Sequence, residues 1–281
     1  MKQAVILAGG KGTRLKEVSG NLPKSMVPVQ GKPLLQHLIE QCVEYGITDI
    51  KLLISYKKEV IEDYFGDGDQ YGATIQYIAE DIPRGTAGAL IDALPELDEQ
   101  FLVVYGDTFF DIDLGSFWTF HQNQAGDASI FLHPNDHPYD SDLVEVNSDF
   151  QVQKIHPYPH DSQWRQNLVN AAVYMFNKNA LQGIDFVSDR PDIAKELFPL
   201  MLESKKKLYG YISTEYIKDM GTPERLSKVE RDINSGKVKS LKKQTSKIAI
   251  FLDRDGTINQ EVNHLSNQEQ FELIDGVDKA I

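Results

Sequence analysis

Ala4-Val5-Ile6-Leu7-Ala8 runs apolar without a polar break and ends in Gly9-Gly10-Lys11-Gly12. An uninterrupted apolar strand that stops at glycines is the pattern of a parallel strand buried on both faces, because a half-exposed strand would alternate polar and apolar residues. Further segments repeat this texture in alternation with helical periodicity. Pro33 to Tyr45 reads as a helix with proline at its start, with Leu35, Leu38, Ile39, Cys42 and Val43 on one face and Gly46 as its stop. Ile50–Ile54, Thr74–Ile78 and Phe101–Tyr105 read as strands, and Lys58–Phe65 and Gly88–Leu94 as helices. Strands alternating with helices at this spacing predict an α/β fold with a doubly wound, mostly parallel sheet. In such sheets a ligand lies beyond the carboxyl ends of the strands, and both Gly9–Arg14 and Gly106-Asp107 directly follow strands.

From about Ala128 the texture changes to short strands and turns, Ser129–His133, Asp142–Val146, Val152–His156 and Val173–Phe176, read as an antiparallel subregion facing a substrate. Ile193–Ser204 and Pro223–Ser235 read as helices. Residues 236–247 carry five lysines and no acid and read as a linker; Ile248–Leu252 then begins a new apolar strand. The organisation expected is a domain over residues 1–235, a linker over 236–247, and residues 248–281, too short for an independent domain of this kind.

The chain has 281 residues and a net charge of −13, which argues against a nucleic-acid partner without excluding phosphate ligands held by a few local cations. Its one cysteine, Cys42, rules out an intramolecular disulfide and reads as a core residue. The N-terminal apolar run is too short for a signal-peptide core, and no run approaches eighteen apolar residues, so the default expectation is a cytoplasmic protein away from membranes. The aromatic pairs Phe109-Phe110 and Phe117-Trp118 read as packing.

Three glycines among Gly9, Gly10 and Gly12 let the backbone approach a ligand, and the N–H groups of such a turn can cradle phosphate oxygens. The turn lacks the Gly-Lys-Ser/Thr of a P-loop, and Leu15 stands where a dinucleotide fingerprint wants glycine. Arg14 and Lys24 supply fixed positive charge nearby, although Lys24 also reads as a solvated surface residue.

At Leu7-Ala-Gly-Gly-Lys-Gly-Thr-Arg-Leu15 followed by Leu22-Pro-Lys-Ser-Met-Val-Pro-Val29, the chain resembles the sugar-1-phosphate nucleotidylyltransferases, whose nucleotide-diphospho-sugar transferase fold is glycosyltransferase-A-like. Matches continue in order through Glu80-Asp-Ile-Pro-Arg-Gly-Thr-Ala-Gly-Ala89, Gly106-Asp107, Asn170-Ala-Ala-Val-Tyr174 and Asp219-Met-Gly-Thr-Pro-Glu224, covering roughly residues 1 to 235. Tyr105-Gly-Asp-Thr-Phe-Phe-Asp-Ile-Asp-Leu114 resembles the branch that makes GDP-D-glycero-α-D-manno-heptose, with mannose-1-phosphate guanylyltransferases as neighbours. The resemblance implies Mg²⁺-dependent transfer of GMP from GTP to a sugar 1-phosphate, with release of pyrophosphate. It implies Arg14 and Lys24 as catalytic cations, the first on the departing phosphates and the second on the α-phosphate. Leu7, Ala8, Gly9, Gly10, Gly12, Thr13, Arg14, Lys24, Glu80, Gly85, Thr86 and Asp107 would bind the nucleotide, and Asp107 and Asp219 the metal. Each aspartate has a plainer reading, Asp107 as a turn residue and Asp219 as a helix-start residue.

Glu80 offers a carboxylate that matches guanine N1–H and N2–H₂, which thymine and uracil do not offer as an adjacent pair; backbone groups of Gly85 and Thr86 are the other candidate reader. The family's Glu-Lys-Pro, whose lysine holds the sugar phosphate, is absent from His156-Pro-Tyr-Pro-His160. Asn170, His156 and Lys154 are the sugar-side candidates, with His160 and Arg165 as further substitutes, and the usual Asn-Ala-Gly reads Asn170-Ala171-Ala172. Phe251-Leu-Asp-Arg-Asp-Gly-Thr-Ile-Asn259 resembles the first motif of haloacid-dehalogenase-type phosphatases, particularly heptose bisphosphate phosphatases. That implies Asp253 as nucleophile and Asp255 as acid/base, in an inactive fragment of a second Rossmannoid domain that makes the chain a truncated bifunctional protein. Three alternatives stay open: a mannose-1-phosphate guanylyltransferase, a uridylyl- or thymidylyltransferase of the same fold, and a nucleotide-sugar sensor attached to a phosphatase. The family often forms homo-oligomers; the sequence leaves that state open.

Overall fold

The computed structural model describes residues 2–10, 12, 20, 22–80, 82–161, 165–246 and 250–280. It contains two compact units, Met1–Thr245 and Ser246–Ile281.

The first unit is built on a nine-stranded sheet. β1 (Lys2–Leu7) lies at its centre, with β4 (Ile47–Ile54) and then β5 (Thr74–Ala79) on one side and β6 (Gln100–Tyr105) on the other. These four strands are parallel. The chain walks outward from β1 to β5 and then returns across β1 to place β6, so the winding reverses between β1 and β6. Such a reversal leaves a crevice at the carboxyl ends of the two strands, which here carry Gly9–Gly12 and Gly106-Asp107. Register makes the approach close: Leu7 pairs with Tyr105, and the Gly106 N–H donates to the Leu7 carbonyl at 3.0 Å.

Period-two alternation sends neighbouring residues of each strand to opposite faces. Ala4 and Ile6 pack with α1 (Leu34–Glu44), α2 (Lys58–Phe65) and α4 (Leu114–Gln124), whereas Val5 packs with α3 (Gly85–Ala93) and a helix over Ile193–Glu203, here α5, whose first turn is π-helical. Both faces are therefore covered, and the fold is the expected doubly wound α/β class. In α1, Leu35, Leu38, Ile39 and Cys42 are buried as the periodicity predicts, and burial pushes the Cys42 thiol up to about 12. The helix α4 has no counterpart in the sequence reading; Asp113 caps it by accepting the Ser116 N–H at 2.8 Å, and its Phe117 and Trp118 are buried as packing residues.

Beyond β6 the sheet continues through β11 (Val169–Asn177), antiparallel to β6, and then β8 (Ala128–His133), β9 (Leu143–Val146) and β10 (Val152–His156). β8 is antiparallel to β11, but β12 (Leu208–Ile212) joins β8 in parallel, so this half is mixed and not purely antiparallel. A separate ribbon pairs β7 (Thr108–Asp111) with β13 (Tyr216–Asp219). It packs through Phe109, Tyr216 and Met220 against α6 (Pro223–Asn234), α7 (Lys237–Leu241) and the small hairpin of β2 (Pro28–Val29) with β3 (Lys32–Pro33).

Two readings of the C-terminal region change. Residues 236–245 are not a free linker. α7 buries Val238 in the ribbon's core, Lys242 pairs with Asp111 at 2.9 Å, and the Lys243 N–H donates to Glu215 at 2.9 Å. In the second unit, Ile250, Phe251 and Leu252 form no strand and are 78%, 94% and 50% exposed. A strand needs at least one neighbour to take its backbone hydrogen bonds, and among the described residues this unit has isolated bridges, Asp255 with Asn259 and Asn259 with Leu273, in place of a ladder. Ile248 and Ala249 lie outside the described residues.

Candidate active site

A cavity of about 280 Å³ opens at the reversal point between β1 and β6. Leu7, Ala8, Gly9 and Gly10 from the end of β1 line it, with Lys24, Glu80, Gly85, Thr86 and Asp107 from four later segments. Nine of the twelve residues expected to bind the nucleotide thus share one cavity. Gly12 does not line it but packs under Lys24: its φ is +61°, and a Cβ there would come within 2.9 Å of the Lys24 Cβ. Thr13 and Arg14 lie outside the described residues. Ser25, Leu53, Pro83, Ala89, Tyr105 and Gly106 complete the wall. All but Leu53 lie within the motifs quoted above, though none was named as a ligand-binding residue.

Lys24 and Asp107 form an ion pair in this cavity. Glu80 follows β5, its N–H donating to the Ile54 carbonyl at 2.9 Å, so it too sits at a carboxyl strand end. Burial raises its carboxyl above the usual range, and the Arg84 N–H on its Oε1 at 3.1 Å works in the opposite direction. α3 begins three residues before the sequence reading placed it, which puts Gly85 and Thr86 at the helix N-terminus facing the cavity. Gly85 has φ +77°, and a Cβ there would meet the Pro191 carbonyl at 2.5 Å; the chain crosses that point with no room for another residue. The Thr86 hydroxyl donates to Asp192 at 3.0 Å and accepts the Ile193 N–H at 2.9 Å, which ties the start of α3 to the start of α5.

A second cavity, of about 470 Å³, is lined by Thr108, Asn170, Ala172, Asp219 and, from the end of β8 and the loop after it, His133 to His137 with Ser141 and Asp142. It adjoins the first through the β7–β13 ribbon: Asp219 is in register with Thr108, and the Met220 N–H donates to the Asp107 carbonyl at 2.8 Å. The two candidate metal ligands therefore stand on neighbouring backbone, one in each cavity. Asp219 accepts the Gly221 N–H at 2.8 Å and pairs with Arg225, a residue the sequence reading did not single out. Thr222 caps α6 with Pro223 at its first position, which sets Arg225 on the first turn beside Asp219.

Asn170 reaches the second cavity, but the other sugar-side candidates do not. Lys154 is exposed on β10, and His156 lies 3.4 Å from Glu145 in a different depression with Arg165. His160 contacts the Ser141 carbonyl at 3.2 Å. β-strand alternation and a bulge, not sequence spacing, decide these directions; β11 shifts register between Asn170 and Tyr174. At that shift Ala172 has φ +57°, a left-handed position where the family pattern's glycine would sit without strain. In the second unit, both Asp255 carboxylate oxygens are held by Arg254 at 2.8 Å, and Asp253 accepts the Arg254 N–H at 2.9 Å.

Comparison with known proteins agrees with this geometry. The chain is 33% identical over 235 residues to a mannose-1-phosphate guanylyltransferase of Mycobacterium tuberculosis, covering 83% of this chain and 65% of that protein, just under two thirds of its length. It is 35% identical over 224 residues to a D-glycero-alpha-D-manno-heptose 1-phosphate guanylyltransferase of Campylobacter jejuni, covering 79% and 96%. Among solved structures, HddC from Yersinia pseudotuberculosis complexed with GMP-PN superposes with a TM-score of 0.68 at 29% identity, over 83% of this chain and all of that one. A putative glucose-1-phosphate thymidylyltransferase from Bacillus anthracis, at 19% identity, a TM-score of 0.74 and coverage of 82% and 94%, shares the fold. Residues 3–236 match the nucleotidyl transferase family, and the chain belongs to it.

Proposed function

We propose that the first unit transfers GMP from GTP to a sugar 1-phosphate, D-glycero-α-D-manno-heptose 1-phosphate ahead of mannose 1-phosphate, releasing pyrophosphate. The observation that carries this reading is the pair of adjoining cavities with Asp107 in one and Asp219 in the other. A donor and an acceptor seated on either side of that carboxylate pair would meet at the α-phosphorus. The acceptor's phosphate oxygen attacks there in line, and the bond to the pyrophosphate oxygen breaks. Such a transfer needs positioning and charge neutralisation more than covalent help.

In this reading Lys24 leaves Asp107 for the α-phosphate, and Arg14 holds the departing phosphates. Glu80 turns its free oxygen to guanine N1–H and N2–H₂, with the start of α3 beside the base. Among the described residues no group of three or more His, Cys, Asp or Glu is arranged for a metal, so Mg²⁺ would take Asp107 and Asp219 plus phosphate and water oxygens. When bound, it neutralises charge on the reacting phosphates. Lys24, Asp107 and Asp219 together weigh against a sensor, which needs no such carboxylate pair. Among the described residues no helix is long and apolar enough to cross a membrane; use of nucleoside triphosphates supports a cytoplasmic setting. The assignment of the second unit to a phosphatase fold rests on the Asp253–Asp255 motif.

The test is pyrophosphate release with Mg²⁺, crossing GTP, ATP, UTP, CTP and dTTP with heptose 1-phosphate, mannose 1-phosphate and glucose 1-phosphate. Turnover with GTP and heptose 1-phosphate supports the reading. A preference for UTP or dTTP moves it to the sister activities, and silence with folded protein moves it to the sensor.

A further inference from the structure

The acceptor's phosphate still lacks a cation. The lysine of the family's Glu-Lys-Pro is absent, and Lys154 and His156 stay out of the cavity that holds Asn170. Among the described residues that cavity has three lysines in its wall: Lys218, Lys228 and Lys237. Lys237 is 52% exposed and turns to Asp232 at 3.8 Å. Lys218, next to Asp219 on β13, is the most enclosed of the three, its side chain 12% exposed. Its ammonium donates to Asp136 Oδ1 at 2.8 Å and to His137 Nε2 at 3.1 Å, which leaves its third N–H without a partner among the described residues. An ammonium only donates, so the His137 proton sits on Nδ1, which donates to Asp140 at 2.7 Å and fixes the ring.

Lys228 from α6 takes the other oxygen of Asp136. Two ammonium groups from two elements thus converge on one carboxylate, carried across the cavity by the loop after β8. This three-residue cluster carries one net positive charge, whereas a phosphate monoester carries close to two negative charges near neutral pH. The cavity's other carboxylates are engaged elsewhere, Asp219 by Arg225, Asp232 by Tyr216, Glu215 by backbone N–H groups and Asp142 by the Tyr158 N–H. A phosphate is therefore the better counter-ion for this pair than the side chain now serving it.

We propose that Lys218, supported by Lys228, binds the phosphate of the sugar 1-phosphate, and that Asp136 holds the ammonium pair in place until the acceptor arrives. The proposal rests on the function argued above and supplies the cation that reading lacks. Loss of the family lysine after β10 is then compensated from β13, in the wall of the cavity that Asp219 also lines.

The test is calorimetric titration of mannose 1-phosphate, and separately of inorganic phosphate, into the full chain with and without a non-hydrolysable GTP analogue. Lys218→Gln is expected to weaken mannose 1-phosphate at least tenfold while the GTP analogue binds as in the wild type, and Lys218→Arg to retain most of the affinity. Asp136→Asn, which removes the competing anion, is expected to bind phosphate as tightly as the wild type or more tightly. Equal affinity of wild type and Lys218→Gln overturns the proposal. So does a loss in Asp136→Asn as large as that in Lys218→Gln, or no binding to the wild type at millimolar concentration in either condition. The titrations involve no turnover, so the two claims fail separately. Turnover with an unchanged acceptor KM in Lys218→Gln overturns the Lys218 assignment alone. Lysine-dependent phosphate binding without turnover of any triphosphate overturns the function and leaves the phosphate site.

Discussion

Asp107 and Asp219 each pair with a cation in this structure, Lys24 and Arg225 respectively, so both carboxylates are aimed before any ligand arrives. Asp107→Asn keeps the shape and loses the charge; pyrophosphate release should fall at least a hundredfold with only a small change in thermal midpoint. Near-normal turnover would remove Asp107 from the reaction. Glu80→Gln removes the negative charge that faces guanine N1–H and N2–H₂, and the GTP-over-UTP ratio of kcat/KM should drop about tenfold, the scale of a lost base contact worth about 1–3 kcal/mol. His133, in the second cavity, is pushed down to about 4 by burial and by the neighbouring Lys218 ammonium. A lowered histidine binds its proton more readily unfolded than folded, so stability is complete above about pH 6.5 and declines as pH falls toward 4. The loss should be on the order of 2 kcal/mol, and His133→Gln should flatten chemical denaturation measured across that window. At this scale the convergence of the glycine turn, Glu80 and Gly106-Asp107 on one cavity was legible, because they follow strand ends that apolar runs reveal. Lys218 and Asp136 were not, because their meeting depends on a ribbon, a helix and a loop more than eighty residues apart.

Elements were legible wherever burial was periodic. Lys58–Phe65 and Val152–His156 match their readings residue for residue, and α1 differs by one residue at each end. The misses share a cause: tertiary contacts supplied what local pattern lacked. α4 mixes aromatic and polar residues on a cap, α7 is five residues long and exists by burying Val238, and α3 starts early because Gly85 can adopt a left-handed φ. Asp192 shows how one cap serves two elements. Its Oδ1 accepts the Ala194 and Lys195 N–H groups at 2.9 and 3.1 Å, while Oδ2 accepts the Thr86 hydroxyl. Asp192→Ala should cost about 1–2 kcal/mol in stability and also raise the KM for the triphosphate, because Thr86 loses its anchor. A drop in thermal midpoint with unchanged KM would show that α3 holds its own start.

For the whole molecule, fold class and winding followed from alternation alone, but the domain boundary did not, since a lysine-rich stretch reads the same whether it is free or packed. The two boundaries make different predictions. Ending the chain after Thr245 keeps α7, Lys242–Asp111 and the Lys243 N–H on Glu215, and should leave thermal midpoint and pyrophosphate release near those of the full chain. Ending it after Ser235 strips Val238 from its core and leaves the buried Glu215 without that donor, which should cost several kcal/mol. Equal stability of the two would restore the linker reading.

The placement of β6 has one more consequence. β1 and β6 are adjacent in the sheet, yet among the described residues the β2–β3 hairpin, β4, β5 and the helices α1, α2 and α3 intervene between them in the chain. Pairing across such a sequence gap closes a long loop and is slow to form. The cavity at their ends is therefore absent from any partly assembled chain, however complete the β1-to-β5 half has become. A nucleotide seated there selects the closed sheet alone, so resistance to proteolysis should rise with nucleotide concentration across the entire first unit rather than in the glycine turn only.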